Sequence, residues 1–378
     1  MPIAFTSNPY PTVGVELELH LVDATSGALA NAAVELLEEL GRGHPDGEHP
    51  KAKHELFQST VEVITSVCRT PTEAIDDLAT SIAELRAAAA TRGLHVISSG
   101  THPFALARDQ LVSPNPRYHA LIEEMQWAAR RLLICGTHVH VGVPSGEHAI
   151  GVVGEVLRHL PLFLILSSSS PYFEQEDTGL ASSRSKVFES LPTAGLPPKL
   201  EHWGDFEAFM DMLITSRCIE TIREVWWDVR PHPDFGTVEL RMCDATSTLR
   251  EAKAVAALAQ ALVAHTVDQI DRGALPAPLS EWAVRENRWL AARHGVDAEL
   301  IIDDRGQRRS ATELLEDLVA ELAPAAARLG TIDDLADVLP LWTLGPGYAR
   351  QRRTVEAGGT LVDVVTSLAR QLESGQPE

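Results

Sequence analysis

The chain of 378 residues is predicted to adopt an α+β fold, in which strands and helices follow one another in irregular order. Several segments repeat apolar residues at helical spacing, and several shorter ones alternate apolar and polar residues. The regular strand–helix–strand period of a doubly wound sheet does not occur. An apolar fraction of 44% and a charged fraction of 22% are typical of a globular protein, and they argue against a disordered chain.

The first clear helix has a full set of start signals. Thr70 is suited to be its N-cap, Pro71 its first helical residue and Glu73 its capping-box partner, and Gly93 suits its end. Similar periodicity predicts helices over 117–133, 205–226, 249–271, 281–294, 310–329 and 359–373. We expect one domain over 1–378, with the helical portion 281–378 packed on the rest.

Four short segments have the alternation of strands. In residues 13–21 the odd positions are apolar, while Glu16, Glu18 and His20 share the opposite face. Residues 137–143 and 237–242 alternate in the same way, and 61–65 form a shorter strand. Each predicted strand therefore has one apolar face and one polar face.

Charge and hydropathy argue against three classes of protein. The formal net charge of −21 argues against a general nucleic-acid binder and against docking on anionic lipid, because both depend on a basic surface. An anionic small substrate is still allowed if a local basic pocket exists. No run of eighteen apolar residues occurs, so we expect no membrane-spanning helix.

The cysteines indicate the compartment. Cys68, Cys135, Cys218 and Cys243 are widely scattered, and none lies in a CxxC spacing. We interpret them as buried free thiols in a reducing compartment. The first five residues also lack a basic segment leading into a hydrophobic one, so we expect no secretory signal and a cytoplasmic location.

Two pairs of polar residues lie on otherwise apolar strands. Glu16 and Glu18 either face water on an edge strand or are buried beside a positive charge, since burying two carboxylates alone is costly. His138 and His140 share one strand face, which fits a satisfied core pair, a zinc site or part of a mixed-ligand metal site.

Two further pairs are weaker signals. Glu239 and Arg241 share a face and could form an ordinary ion pair. Glu55 and Glu62 are seven residues apart, so a continuous strand would point them to opposite faces. They converge only if a turn or a bulge lies between them.

Together these residues predict a metal site. If the strands join one sheet, its polar face gathers acidic and imidazole groups, namely Glu16, Glu18, Glu62, His138 and Glu239. Crowded carboxylates repel and raise each other's pKa unless divalent cations lie among them. A ligand set made mostly of oxygen suits Mg²⁺ or Mn²⁺ better than structural zinc.

Basic residues could complete such a site. Arg184 and Lys186 follow a serine-rich run, and Arg230 and Arg241 flank a further strand. In so acidic a chain, they suggest an anionic substrate held by charge-assisted hydrogen bonds. Neither GxxxxGK[ST] nor GxGxxG is present, so a nucleotide would be held largely through metal-bridged phosphates.

Five segments together resemble the type 2 glutamate–cysteine ligase family, bacterial carboxylate–amine ligases related to glutamine synthetase. The resembling segments lie in the expected order within 12–260 and are 14–22, 54–62, 136–142, 168–185 and 226–241. Family members often have three consecutive glutamates where this chain has Glu16, Leu17 and Glu18, so Leu17 is not a ligand here.

The resemblance implies a curved, mostly antiparallel sheet that forms a cup, with helices outside it and metals and ATP phosphates inside. It implies by position that the metal ligands are Glu16, Glu18, Glu55, Glu62, His138 and Glu239. Arg241 would act on the phosphate side beside the catalytic Glu239, and His140 would touch the nucleotide. Arg184 and Arg230 would contact phosphate or the substrate carboxylate, and Lys186 is a further candidate for binding the cofactor.

The implied activity is ATP-dependent amide formation through an acyl phosphate, with Mg²⁺ or Mn²⁺ as the metal. Glutamate or a related acid would be joined to an amine, such as the amino acid cysteine. Three alternatives are a phosphotransferase similar to guanidino kinases, a metal-dependent hydrolase built on the HxH pair, and a nucleotide-sensing protein with weak turnover. We expect small-molecule partners, neither nucleic acid nor membrane, and self-association through an exposed sheet edge.

Overall fold

An antiparallel sheet of seven strands forms the centre of the computed structural model, which describes residues 2–378. The strands of the fold are β1 (Val13–Asp23), β2 (Ala52–His54), β3 (Thr60–Ile64), β4 (Leu94–Ile97), β5 (Thr137–Gly142), β6 (Tyr172–Phe173), β7 (Glu176–Asp177), β8 (Ala194–Gly195), β9 (Trp226–Trp227), β10 (Val229–His232), β11 (Thr237–Leu240), β12 (Glu299–Ile301) and β13 (Arg308–Ser310). The sheet has the order β10-β11-β5-β1-β3-β2, and β4 also pairs with β1. The remaining strands form three separate pairs.

The predicted alternation on β1 is confirmed. Val15, Leu17 and Leu19 are buried in the main hydrophobic core, while Glu16 and Glu18 are on the opposite face. The strand register then brings distant parts of the chain together. Glu16 lies opposite His138 on β5, Glu18 lies opposite Glu62 on β3, and His140 lies opposite Glu239 on β11.

Helices cover the apolar side of the sheet and form the C-terminal part of the chain. They are α1 (Ala33–Gly41), α2 (Pro71–Ala90), α3 (Pro116–Met125), α4 (Gly146–Ser167), α5 (Arg184–Phe188), α6 (Trp203–Thr215), α7 (Leu249–Asp271), α8 (Glu281–His294), α9 (Ala311–Leu329), α10 (Ile332–Ala336), α11 (Val338–Leu344), α12 (Gly347–Glu356) and α13 (Leu361–Ser374). α7 contacts α2, α4 and α9, so it connects the helices near the sheet to the C-terminal ones. The α+β class that the sequence predicts is confirmed.

α4 is the longest of the helices that the sequence analysis did not predict. It is long and apolar enough to span a membrane by length and composition alone. Most of its apolar window is buried in the fold, where it packs against α7 and α8 and contacts β10 and β11. A buried core helix is apolar on all sides for this reason.

Two predicted helices are shorter than their periodicity indicated. α3 ends at Met125, because Gln126 has a left-handed backbone with φ of 48°. α6 ends at Thr215, and Arg217 has φ of 60° before the chain enters β9. The helices predicted over 117–133 and 205–226 are therefore wrong in their second halves, since a left-handed residue cannot continue a right-handed helix.

The cysteine prediction is correct for three residues and wrong for one. Cys68, Cys135 and Cys243 are buried free thiols, whereas Cys218 is free but exposed. Cys218 lies in the second half of the helix that was predicted over 205–226, and there the chain has already left α6. The error in the helix boundary thus explains the error in burial.

The C-terminal helices share a core with the sheet. One cluster of buried side chains contains Leu17 and Val139 from the sheet together with Leu315 from α9 and Leu372 from α13. This shared core supports the sheet on its apolar side.

α2 begins at the predicted position, where the Thr70 side chain accepts a hydrogen bond from the Glu73 amide.

Candidate functional site

The polar face of the sheet borders a cavity of about 1060 Å³. The predicted carboxylates Glu16, Glu18, Glu55 and Glu62 line it, and so do Arg184, Arg230 and Arg241, which together form its cationic wall. The ionisable residues that line the cavity are Glu16, Glu18, His54, Glu55, Glu62, Arg117, Tyr118, Glu124, His138, Arg184, Arg217, Cys218, Glu220, Arg223, Glu224, Arg230, His232 and Arg241. The cavity therefore offers oxygen ligands beside a cationic wall.

Three carboxylates meet where β1, β2 and β3 pair. One oxygen from each of Glu18, Glu55 and Glu62 lies within 4.8 Å of the others. β2 ends at His54 and β3 begins at Thr60, so a turn separates Glu55 from Glu62. That turn is the condition under which these two side chains were predicted to converge.

Crowding changes the acidity of these groups. Burial raises the pKa of Glu55 to about 8, and the negative charge of Glu18 adds to the effect. Burial also raises the pKa of Glu62 well above its usual range, with further contributions from Glu55, Glu16 and Glu18. Carboxylates that repel each other in this way are stabilised when a cation lies among them.

Glu16 connects this acidic group to the two histidines of β5. His138 Nδ1 lies 3.1 Å from one Glu16 oxygen, and His140 Nε2 lies 3.2 Å from the other. Burial alone would raise the pKa of Glu16, but hydrogen bonds from both histidines lower it. Ligand atoms of Glu16, Glu62 and His138 lie within 4.8 Å of one another, as do those of Glu16, His140 and Glu239.

Glu239 forms ion pairs with two arginines of the cationic wall, Arg230 and Arg241. Its carboxylate accepts a hydrogen bond of 2.7 Å from Arg230 Nε and pairs through its other oxygen with Arg241. Burial would raise the pKa of Glu239, but the two arginines hold it well below its usual range. Each guanidinium therefore faces the cavity from a fixed position.

Arg184 reaches the same wall from α5. It is almost fully buried, and its Nη1 donates to the carbonyl oxygens of Arg241 at 3.3 Å and Met242 at 3.4 Å. Its Nη2 lies 3.5 Å from His138 Nε2. The guanidinium thus bridges the metal-ligand candidates and the arginines.

A glycine makes room for this arrangement. A Cβ at Gly136 would overlap Arg184 Nη2 and would lie 2.8 Å from His138 Nε2. Gly136 also uses its amide, which donates to the Glu18 carboxylate. The side chains of Arg184 and His138 therefore leave no space for a side chain at position 136.

The structure brings together every predicted site residue except Lys186, and of these Glu239 and His140 are buried beside Glu16 and do not themselves line the cavity. Lys186 forms an ion pair with Glu189 and lies over the ring of Trp289, and it does not line the cavity. Lys186 is two residues after Arg184 on α5, so it faces away from the side that Arg184 occupies. The prediction that Lys186 contacts a cofactor is not supported by its position.

The two histidines of the HxH pair belong to separate ligand groups. His138 lies with Glu16 and Glu62, and His140 lies with Glu16 and Glu239. His140, which was predicted to touch a nucleotide, has its ring 5.6 Å from that of His232 and its Nε2 3.2 Å from Glu16. Among the described residues, no group combines both histidines, which disfavours a hydrolytic zinc site built on the pair.

Sequence reasoning missed several residues that line the cavity. The Tyr118 hydroxyl on α3 donates to the His54 carbonyl at 2.8 Å, next to Glu55. His232 and Phe235 stack with ring centroids 4.0 Å apart and both line the cavity. His232 and Phe235 lie within the resembling segment 226–241 but carried no charge pattern of their own, and nothing in the helical periodicity of α3 marked Tyr118.

Comparison with known proteins identifies the family. The model of glutamate–cysteine ligase family 2 matches residues 12–367. A protein of Frankia alni with the provisional name glutamate–cysteine ligase 2-1 is 52% identical over 100% of this chain and 99% of its own length. A protein of Thermobifida fusca with the provisional name glutamate–cysteine ligase 2 is 48% identical over 100% of this chain and 94% of its own.

Solved structures support the fold. A glutamate–cysteine ligase of Francisella tularensis, crystallised with AMP, has a TM-score of 0.70 at 12% identity and covers 97% of this chain and 90% of its own. A bifunctional glutathione synthetase of Pasteurella multocida has a TM-score of 0.68 at 13% identity, over 96% of this chain and 52% of its own. The chain belongs to glutamate–cysteine ligase family 2 and is an ATP-dependent carbon–nitrogen ligase.

Proposed function

We propose that this family member joins the carboxylate of glutamate to the amine of a second small molecule, an amino acid such as cysteine, and that ATP drives the reaction. The observation that carries the proposal is the juxtaposition of four carboxylates and His138 with the guanidinium groups of Arg184, Arg230 and Arg241 in one cavity. Phosphoryl transfer to a carboxylate requires alignment and neutralisation of negative charge, and these two sets of residues supply both.

The acidic residues fit a divalent cation. Burial and mutual repulsion raise the pKa of Glu55 and of Glu62, which is the behaviour expected of carboxylates crowded without a counter-ion. We propose that Glu16, Glu18, Glu55, Glu62 and His138 hold Mg²⁺ or Mn²⁺, with Glu239 and His140 beside them. Oxygen ligands with one imidazole suit these ions. The bound metal would supply charge neutralisation and orientation for phosphate oxygens.

The arginines have a separate role. AMP is bound to the Francisella tularensis ligase, which has the same fold, and this supports a nucleotide in the present cavity. We propose that Arg241 and Arg230 neutralise the charge of the transferred phosphoryl group. Glu239 holds both guanidinium groups in place, so it acts as a fixed anchor for them. Arg184, tied to the carbonyl oxygens of Arg241 and Met242, faces phosphate or the substrate carboxylate.

The chemistry proceeds in two balanced steps. A carboxylate oxygen of the acid attacks the γ-phosphorus of ATP, the bond to the bridging oxygen breaks, and ADP leaves. The amine nitrogen then attacks the acyl carbon, and the phosphate leaves with the bonding electrons. The proton that the nitrogen loses passes to the released phosphate, and an amide is formed.

The compartment follows from the same chemistry. ATP and free amino acids are cytoplasmic substrates, and all four cysteines are free thiols. We therefore propose a cytoplasmic location, in which these thiols stay reduced. Small molecules are the partners that the cavity fits.

A direct assay tests the proposal. Purified protein is given Mg²⁺, ATP, glutamate and a panel of amines, and both ADP and the amide product are measured by mass spectrometry. We expect ADP only when both acid and amine are present, in equal amounts with the amide. Arg241→Met should abolish the activity, and Arg285→Met on the exposed side of α8 should not.

Other results would overturn the proposal in distinguishable ways. A phosphorylated acceptor without amide would indicate a phosphotransferase. Water as the nucleophile with no need for ATP would indicate a hydrolase. Nucleotide binding without turnover on any amine of the panel would indicate a nucleotide-sensing protein.

A further inference from the structure

We propose that Arg288, on helix α8 of the C-terminal portion, is a positioning residue that sets the arrangement of the cavity arginines. The proposal rests on the proposed function, because it concerns how those arginines meet phosphate. Arg288 is only 3% exposed and does not line the cavity. Its effect on chemistry must therefore pass through other residues.

The first link is to Asp228, between β9 and β10. Arg288 Nε donates to one carboxylate oxygen at 2.6 Å and Nη2 donates to the other at 3.2 Å, so the pair is bidentate. The Asp228 carbonyl accepts the amides of Arg241 at 2.7 Å and Met242 at 3.2 Å. Asp228 therefore binds both the guanidinium of Arg288 and the backbone amide of Arg241.

The second link is to α5. Arg288 Nη1 donates to Glu189 at 2.7 Å, and Nη2 donates to the carbonyl of Ser185 at 3.3 Å. Ser185 directly follows Arg184 in the chain. A single guanidinium therefore connects the helix that carries Arg184 to the segment that carries Arg241.

Arg184 closes the ring of contacts. Its guanidinium donates to the carbonyls of Arg241 and Met242, the same two residues whose amides bind the Asp228 carbonyl. It also contacts His138, which is among the proposed metal ligands. A shift of α5 relative to Asp228 would consequently move Arg184 against both Arg241 and His138.

The contacts require the shape of an arginine. The guanidinium is planar and presents its donors in a rigid fork, so it can hold a carboxylate with two atoms and still donate to Glu189 and a carbonyl. A lysine keeps the charge but has a single nitrogen and cannot span these acceptors. Arg288→Lys therefore alters geometry while it preserves the buried ion pair with Asp228.

A matched control comes from a second buried arginine. Arg350 on α12 pairs with Glu251 at 2.8 Å, and both are almost fully buried, as Arg288 and Asp228 are. Arg350 donates to Gln371 and to the carbonyl of Gly345, and neither Arg350 nor these partners line the cavity. Arg350→Lys therefore measures the loss of stability that follows from replacing a buried guanidinium away from the cavity.

The experiment compares the two lysine variants by steady-state kinetics, thermal unfolding and crystallography. We expect both to lower Tm to a similar extent. Only Arg288→Lys should lower kcat, by about 100-fold, as misplacement of groups by about 1 Å does. In an Arg184→Lys background, Arg288→Lys should have much less additional effect, because the two act through the same guanidinium.

Two results test the role of Arg288 separately from the proposed function. A crystal structure of Arg288→Lys should show the Arg184 guanidinium displaced from the carbonyls of Arg241 and Met242. An unmoved Arg184, or equal kinetics for the two lysine variants, would overturn the role of Arg288. Failure of the wild-type protein to bind inorganic tripolyphosphate with Mg²⁺ would instead overturn the proposed function, and the crystal structure would still test Arg288.

Discussion

Glu62 is the residue whose chemistry depends most on its neighbours. It belongs to two of the ligand groups, one with Glu16 and His138 and one with Glu18 and Glu55. Burial and these negative charges raise its pKa, so its ionised form is unfavourable in the metal-free fold. The same carboxylate becomes favourable once a cation shares its charge.

Glu62→Gln separates these two states. We expect the variant to unfold at a higher temperature than wild type in EDTA, because glutamine removes the free-energy cost of burying a carboxyl whose pKa is raised in the fold. We also expect its Mg²⁺ affinity to fall by about 100-fold, since even the outer partners of metal ligands affect affinity 10- to 100-fold. Thermal unfolding with and without Mg²⁺ measures both effects. Glu176→Gln, an exposed glutamate on β7, is the control, and identical behaviour of the two variants would contradict the assignment.

Gly136 is the second informative single residue. A Cβ here would meet the Arg184 guanidinium and the His138 ring, both of which are buried. We expect Gly136→Ala to lower kcat/KM by about 100-fold, because both side chains must move. Steady-state kinetics measures this effect. Gly154→Ala in α4, where nothing lies within 4 Å of the added Cβ, should keep full activity. Normal turnover in Gly136→Ala would show that the position of Arg184 is unimportant.

The segment after β4 is organised by one buried histidine. His102 Nδ1 accepts the amides of Phe104 at 3.3 Å and Ala105 at 3.0 Å, so Nε2 carries the proton and donates to the Gly27 carbonyl at 2.9 Å. Burial lowers the pKa of His102 from 6.5 to about 4. Only the neutral ring satisfies all three contacts.

The segment should therefore weaken on acidification. Between pH 6.5 and about 4 the unfolded chain binds a proton at His102 that the folded chain does not, so stability falls as pH falls through this window. The loss from this residue is about 3 kcal/mol. Urea unfolding at pH 7 and pH 4.5 measures it. Because other groups also titrate, His102→Gln is the reference, and an unchanged pH dependence in that variant would refute the assignment.

The sheet was predictable from the sequence because alternation along a strand is a local property. The odd and even positions of β1 separate apolar residues from Glu16 and Glu18 without knowledge of the partners. The register that joins Glu16 to His138 was not readable, because pairing depends on the whole fold. The resemblance to a known family supplied that link.

Other elements escaped prediction for physical reasons. α4 is apolar on nearly all sides, so it has little of the amphipathic contrast by which a helix is detected. The ends of α3 and α6 depend on the left-handed residues Gln126 and Arg217, types that do not signal a break as glycine does. Lys186 was grouped with Arg184 because both are basic, and the orientation of α5 separates them.

At the scale of the whole molecule, the cavity depends on helices of the C-terminal portion. The main core is continuous from the sheet to α13, and the contacts of Arg288 join α8 to the cationic wall through Asp228. We propose that residues 1–378 fold as one domain. Differential scanning calorimetry should then show one transition whose calorimetric and van't Hoff enthalpies agree. Two separate transitions, one of them assignable to 281–378 by limited proteolysis, would contradict a single domain.

The most direct test concerns the ions themselves. Crystals grown with Mn²⁺ and a non-hydrolysable ATP analogue would be measured at the manganese absorption edge. We predict anomalous peaks bounded by Glu16, Glu62 and His138 and by Glu18, Glu55 and Glu62, with the analogue's phosphates reaching towards Arg241. A well-ordered analogue in the cavity with no anomalous density among those carboxylates would contradict the metal site on which the proposed reaction depends.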